Sequence, residues 1–110
     1  MKALSDPEKF VRLAAIDALG KIKEQGAVKP LMTTLRDADP DIRWFSAHAL
    51  GQIAHDEAIP DLILCLDDKA NLSWDPKRVC DVAAEALECI ATPEAIAAVA
   101  KWRRSQVVES

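Results

Sequence analysis

The sequence predicts an all-α fold, a right-handed α-solenoid of about six helices arranged in antiparallel pairs. Two observations predict it: an internal repeat with two helical patterns per period, and segments that lack the strict apolar–polar alternation of a strand. Half of the 110 residues are apolar, which is enough for one domain with its own core. We therefore expect a single domain over 1–110, with repeats near 1–35, 36–66 and 67–110.

The repeat consists of three long segments that align without gaps. They are VRLAAIDALGKI at 11–22, IRWFSAHALGQI at 42–53 and VCDVAAEALECI at 79–90. The spacing is 31 residues from Leu19 to Leu50 and 37 residues from Leu50 to Leu87. Shorter, mutually similar segments follow them at 26–37, 57–68 and 93–104. This period is typical of helical solenoids.

Local signals predict six helices, near 7–23, 27–36, 40–53, 57–67, 76–90 and 93–104. Asp–Pro pairs ahead of the long helices would supply N-caps, and prolines in the early turns of the short helices cost little. Ile16 and its equivalents Ala47 and Ala84 would pack on neighbouring repeats. The core-facing positions of the first copy would be Val11, Ala15, Ala18, Leu19 and Ile22.

The pattern D…VR…AA…ALG.I…A..PL...L.D resembles the HEAT-like repeats of the phycobilin-lyase type over nearly the whole chain. The resemblance implies a ladder in which an Asp between helices and an Arg early in the next helix stack from repeat to repeat. Asp6–Arg12 and Asp37–Arg43 share the required six-residue offset. In the third copy, Cys80 stands where Arg is expected and the insertion NLSWDP (71–76) precedes the helix, so we expect the ladder to be irregular there.

The resemblance also implies that one face of the long helices lines a concave groove. Stacking the three copies gives four columns across it: Leu13–Trp44–Asp81, Ala14–Phe45–Val82, Asp17–His48–Glu85 and Lys21–Gln52–Cys89. An apolar centre with an acidic border is the composition of an interface hot spot. We call this surface the Trp44 face. Its candidate binding residues are Leu13, Asp17, Trp44, Phe45, His48, Gln52, Asp81, Val82 and Glu85.

The aromatic residues leave alternatives open. Phe45 lies at the border of the core arc and would either bind a partner or fill space between repeats. Trp74 in the insertion would either cover Trp44 as a lid or anchor a longer loop, and we favour the anchor. Trp102 is expected to cover the last repeat as a C-terminal cap.

Composition argues against several function classes. A net charge of −4 disfavours nucleic acid as a partner, and no apolar run is long enough for a membrane span. Three cysteines without a CxxC pair predict reduced thiols and a cytoplasmic location. His48 between Asp17 and Glu85 would suit a pH-sensitive contact, but adjacent solenoid helices lie too far apart for three side chains to share a metal. We expect neither catalysis nor a cofactor.

The sequence therefore predicts a non-catalytic scaffold that binds a protein or peptide carrying basic and apolar residues. The alternative is a phycobilin-lyase-like protein that holds a bilin chromophore for attachment to a partner's cysteine, although the Trp44 face offers only Lys21 to the bilin's propionates. DNA recognition of the kind found in HEAT-like alkylbase glycosylases would need a basic face. The mixed polarity of the first helix further predicts either a longer solenoid or a homodimer through that helix.

Overall fold

The computed structural model describes residues 8–72 and 75–108, with side chains up to Gln106. It is all-α apart from one short hairpin, consistent with the predicted short solenoid. The helices are α1 (Lys9–Lys21), α2 (Val28–Thr34), α3 (Pro40–Ile53), α4 (Ile59–Leu64), α5 (Val79–Ile90) and α6 (Pro93–Val108). The strands β1 (Asn71–Leu72) and β2 (Asp75–Arg78) pair antiparallel between α4 and α5.

The long helices α1, α3 and α5 lie side by side and form the main layer. The short helix α2 packs on α3, and α4 packs on α5, so each short helix covers the long helix that follows it. The final helix α6 packs against α5 and α4. Apolar side chains between these helices form one core, with Leu31, Ile42, Leu50, Leu62 and Leu87 at 0% exposure.

Local chemistry fixes where the long helices begin and end. The Asp39 carboxylate accepts a hydrogen bond from the Asp41 N–H at 2.9 Å, and Pro40 occupies the first position of α3, as predicted. Each long helix is followed by a residue in the left-handed region: Lys23, Ala54 and Ala91, with φ of 54°, 57° and 60°. These residues occupy equivalent positions, so the same turn leads from each long helix into the next short one.

The start of α5 differs from the prediction. A helix was expected from residue 76, but residues 75–78 form β2 and the helix begins at Val79. Asp75 therefore does not cap α5; its carboxylate instead accepts from the Lys77 N–H at 2.8 Å. The Asp81 carboxylate, in the first turn of α5, accepts a hydrogen bond from the Arg78 N–H at 2.8 Å. This residue of the helix itself therefore caps its N-terminus.

The long helices approach each other closely at two glycines. A β-carbon placed on Gly51 would lie 2.8 Å from the Ala86 Cα and 2.9 Å from its Cβ. A β-carbon on Gly20 would lie at the same two distances from the Ala49 Cα and Cβ. Gly20 and Gly51 are equivalent in the repeat, as are Ala49 and Ala86, so one backbone contact joins α1 to α3 and α3 to α5.

The predicted packing positions are confirmed. Of the five predicted core positions of α1, Ala15 and Leu19 pack against the core, whereas the other three are exposed. Ile16, Ala47 and Ala84 are buried, with exposures of 0%, 0% and 1%. Val11, Ala18 and Ile22 are exposed, although their equivalents in α3 are buried. The reason is that this face receives the preceding helix in α3 and α5, whereas in α1 it lies open to solvent.

The Arg–Asp ladder is present, but each arginine side chain pairs with the aspartate 25 residues after it and not with the one six residues before it. The Arg12 guanidinium donates to Asp37 Oδ2 at 2.5 Å, and Arg43 Nε donates to Asp68 Oδ2 at 2.7 Å. Arg43 Nη1 also donates to the Asp37 carbonyl at 2.8 Å, which links the two rungs. At the equivalent of these arginines, Cys80 contributes only its backbone N–H, to the Asp68 carbonyl. Asp6 lies outside the described residues.

None of the helices in the described ranges is long and apolar enough to cross a membrane.

Gly51→Ala tests the close approach of α3 and α5. Alanine is favoured over glycine in a helix by about 1 kcal/mol, but its methyl group would push directly against the Ala86 backbone. We expect a net loss of about 1–2 kcal/mol of unfolding free energy, measured by urea titration. Gly26→Ala is the control, because the nearest atom to its new methyl is the movable Glu24 carboxylate at 3.2 Å. A Gly51→Ala variant as stable as the wild type would contradict the packing.

Asp37→Asn tests the ladder. Burial alone would raise the pKa of Asp37, but the Asp39 N–H and the Arg12 guanidinium outweigh it and the pKa is lowered. Because its pKa is lowered in the folded state, the Asp37 carboxylate stabilises the protein above about pH 4. This stabilisation is lost as the pH falls through the folded-state pKa. We therefore expect the variant to lose about 1 kcal/mol at pH 7 and much less at pH 3.

Urea midpoints of both proteins at the two pH values measure this difference. Glu57→Gln removes the same charge from the exposed Lys29–Glu57 pair, whose ions are 3.9 Å apart, and should change little at either pH. An Asp37→Asn deficit that is equal at pH 7 and pH 3 would mean that the ion pair contributes nothing.

Candidate functional site

The aromatic cluster of α3 forms the centre of the Trp44 face. The Trp44 ring lies 5.1 Å from the Phe45 ring, between centroids, and 5.8 Å from the His48 ring, on which it stacks at 29°. Trp44 and Phe45 are half-buried against the core, and His48 is exposed. The i,i+4 spacing of Trp44 and His48 places their rings on one side of α3, and the Phe45 ring contacts Trp44 from the next position.

The insertion contributes to this surface through β2. Trp44 Nε1 donates to the Lys77 carbonyl at 3.2 Å, so the hairpin is hydrogen-bonded to the side chain at the centre of the Trp44 face. The Lys77 ammonium then lies 2.8 Å from Glu85 Oε2 on α5. The sequence reasoning missed Lys77. Its position directly after the insertion and two residues before α5 was the signal that could have pointed to it. Trp74 lies outside the described residues, so the choice between lid and anchor stays a prediction.

The predicted acidic border is present, but each carboxylate has a cation of the same chain beside it. Asp17 lies 2.9 Å from Lys21 Nζ, and Asp81 accepts from Arg78 Nε at 3.2 Å. Together with Glu85 and Lys77, these pairs make the border nearly neutral. The reason is local: Lys21 lies at i+4 from Asp17, Arg78 lies at i−3 from Asp81, and Lys77 on β2 lies beside Glu85.

Two of the predicted contact residues occupy other environments. Val82 is only 2% exposed, so its assignment to the binding surface is wrong. It lies one turn before Ala86, on the side of α5 that packs against α3. Phe45 holds the equivalent place in α3, where it is half-buried and packs against the core. The Gln52 side-chain oxygen is buried and lacks a hydrogen-bond partner among the described residues.

Leu13 is half-buried on α1 and packs against the core. The described surface of the Trp44 face therefore consists of the half-buried Trp44 and Phe45, the exposed His48, and the paired carboxylates of Asp17, Asp81 and Glu85. This combination provides an aromatic anchor point surrounded by exchangeable ion pairs.

The chemistry of the cysteines fits packing and not nucleophilic attack. Burial raises the pKa of Cys65 to about 11, with Asp68 and Asp61 adding to the effect. Burial likewise raises the pKa of Cys80, in opposition to the helix N-terminus that the sequence offers as an activating group. Both side chains are buried thiols. Among the described residues, no three His, Cys, Asp or Glu side chains are grouped so that they could hold a metal ion.

The comparisons with known proteins bear on the repeat. A family model of HEAT repeats matches residues 1–75, which span α1 to α4 and more than half of the 110-residue chain. No curated protein matches the chain. The phycobilin-lyase type within the HEAT-like repeats stays a prediction. The repeat period, the stacked helix layer and the family match lead to one assignment: the chain belongs to the HEAT-repeat family.

Proposed function

We propose that this chain is a non-catalytic scaffold that binds a protein or peptide segment on the Trp44 face. HEAT repeats suggest a protein-interaction role in general, since stacked helical repeats form extended binding surfaces. The observation that carries the specific proposal is the Trp44–Phe45–His48 cluster, in which the rings lie 5.1 and 5.8 Å from Trp44. Tryptophan is among the side chains enriched in the hot spots near the centres of interfaces.

The surroundings of Trp44 support an apolar anchor on the partner. Its ring edge is held by the Lys77 carbonyl and one side is stacked on His48, so little side-chain entropy remains to be lost on binding. A partner's apolar side chain would bury the remaining ring surface. We therefore expect the partner to bind a surface that is already ordered, without a loop that closes over it.

The ion pairs support basic residues on the partner. The Lys77 and Glu85 side chains are 50% and 48% exposed, and such exposed pairs contribute at most about 1 kcal/mol. A partner Lys or Arg would therefore replace Lys77 on Glu85 at little cost. The same exchange is available at Asp17, whose partner Lys21 is 67% exposed, so the border would select cationic segments without binding them tightly.

The thiols support a proposal about the compartment. We propose a cytoplasmic protein, because Cys65 and Cys80 are buried as thiols and each packs without a disulfide. Binding of a bilin chromophore is the alternative function that the sequence predicts. Absorbance of the purified protein in the visible range would detect a bound bilin.

Trp44→Ala is expected to weaken peptide binding by about 2 kcal/mol, or roughly 30-fold in Kd, because it removes the anchor. Peptides selected from a displayed random library on the wild-type protein provide the ligands, and calorimetry measures the affinities. Ile96→Ala removes an apolar side chain of 52% exposure on α6 and should leave binding unchanged. Equal binding by the wild type and Trp44→Ala would refute the proposed anchor.

Two charge variants make the test of the border independent of the anchor. Lys77→Ala should leave the affinity for a basic peptide unchanged or raise it, since Glu85 then becomes available, whereas Glu85→Gln should lower it. Thermal unfolding of all variants checks the fold. If Trp44→Ala instead loses most of its stability, Trp44 belongs to the core and the binding assignment fails.

A further inference from the structure

The cleft between α2 and α4 recurs between α4 and α6. The residues that line the two clefts correspond through the 31-residue and 37-residue spacings of the repeat. With the first cleft named before the second, the pairs are Leu35 with Leu66, Arg36 with Asp67, Asp61 with Ala98, Leu64 with Lys101, Cys65 with Trp102 and Asp68 with Ser105. We call the second the Trp102 cleft, which Ile63 also lines. One element of the fold therefore occurs twice with different side chains.

The two clefts differ in whether the chain bridges them. Across the first, Arg36 Nη2 lies 3.5 Å from Asp61 Oδ1, and the cleft measures about 160 Å³. In the Trp102 cleft, Asp67 replaces the arginine and Ala98 replaces the aspartate, so the equivalent ion pair cannot form. The Trp102 cleft measures about 300 Å³, nearly twice the volume of the first. Pockets that bind ligands begin at about this size.

The floor of the Trp102 cleft is apolar. Leu66 is 6% exposed, and Ile63, Ala98 and Trp102 are half-buried and pack against the core. The Trp102 indole N–H is buried and has no hydrogen-bond partner among the described residues. A buried donor without a partner is costly, so an acceptor brought by a ligand would be favourable. A small shift of the ring toward such an acceptor would break no hydrogen bond.

The border of the Trp102 cleft carries two opposite charges. Asp67, in the turn that follows α4, and Lys101, on α6, are both exposed. Within the described part of the chain, neither forms an ion pair, with the other or with any other residue. The acids of the first cleft differ, because Asp61 and Asp68 each pair with an arginine. Opposite charges beside an apolar floor favour a ligand that carries a base and an acid around an apolar group.

We propose that the Trp102 cleft is a second binding site, for a peptide segment in which an apolar side chain is flanked by one basic and one acidic residue. The apolar side chain would lie on Leu66 and Trp102, and a peptide carbonyl would accept a hydrogen bond from the indole N–H. The base would pair with Asp67 and the acid with Lys101. Because the two charges of the border cancel, the cleft does not favour a polyanion. It shares no residue with the Trp44 face, so the two sites are separate.

Indole signals in proton–nitrogen correlation spectra of the full chain test the proposal. Spectra of Trp102→Phe and Trp44→Phe assign the two signals by their loss. The probe is a tripeptide of lysine, leucine and glutamate, acetylated and amidated at its ends so that only its side chains are charged. We expect it to shift the Trp102 signal saturably at millimolar concentrations. A shift of the Trp44 signal reports binding to the Trp44 face, so failure at one site is distinguished from failure at the other.

Matched peptides and variants separate the apolar group from the charges. Replacing the leucine of the probe by glycine should weaken binding about 5-fold or more, because it removes the apolar group. Replacing both charged residues by glutamine should weaken it roughly 10-fold. Asp67→Asn and Lys101→Gln should each weaken the charged peptide about 3-fold and leave the glutamine peptide unchanged. Asp56→Asn, which removes an exposed acid outside the cleft, should change neither affinity.

A Trp102 signal that stays in place, or that shifts equally with the glycine peptide, overturns the proposal. Equal affinities of the charged and glutamine peptides overturn it as well, as does an affinity that Asp67→Asn or Lys101→Gln leaves unchanged. Both variants replace exposed side chains, so their urea midpoints should equal that of the wild type. The outcome therefore does not depend on a folding defect.

Discussion

The close approach of backbones at Gly20 and Gly51 is the constraint on which the rest of the structure depends. Each glycine lets the next long helix come so near that the alanine of that helix, Ala49 or Ala86, occupies the space that a glycine-position side chain would need. Helices at this distance share one core, which lets short helices of only seven and six residues, α2 and α4, complete it. The Arg12–Asp37 and Arg43–Asp68 pairs then tie the repeats together at the helix starts.

The Trp44 face is a consequence of the same layer. Because α3 and α5 lie side by side, Trp44 and Glu85 both reach Lys77 although they are far apart in sequence. The insertion before α5 modifies that surface: it ends the regular ladder, replaces the first turn of the predicted helix with a strand, and brings Lys77 to Trp44 and Glu85. The departure from the repeat and the proposed binding site therefore occur at the same place.

The periodic elements were predictable from the sequence because their signals are local. The bounds of α3 are the predicted 40–53, since Asp39 and Pro40 begin the helix and Ala54 ends it in the left-handed region. The start of α5 was not predictable, because Pro76 fits a helical first turn as well as it fits a strand edge. Only the pairing of Asn71 with Arg78 distinguishes the two.

The errors on the candidate surfaces have one physical origin. A helical pattern indicates which side of a helix is apolar, but not which neighbour covers it. Val11 and Ile22 have the pattern of core residues and are exposed, whereas Val82 was placed on the binding surface and is covered by α3. The Lys77–Glu85 pair of the border was missed for a similar reason, since Lys77 reaches Glu85 only through the hairpin.

The most direct test of the account is nuclear Overhauser contacts between the glycine Hα protons and the alanine methyl groups across the layer. The account predicts strong contacts from Gly51 to Ala86 and from Gly20 to Ala49, because backbone and methyl group meet at van der Waals distance. If both contacts are absent in a folded protein, the helices do not approach at the glycines. The common layer, and the faces derived from it, would then be wrong.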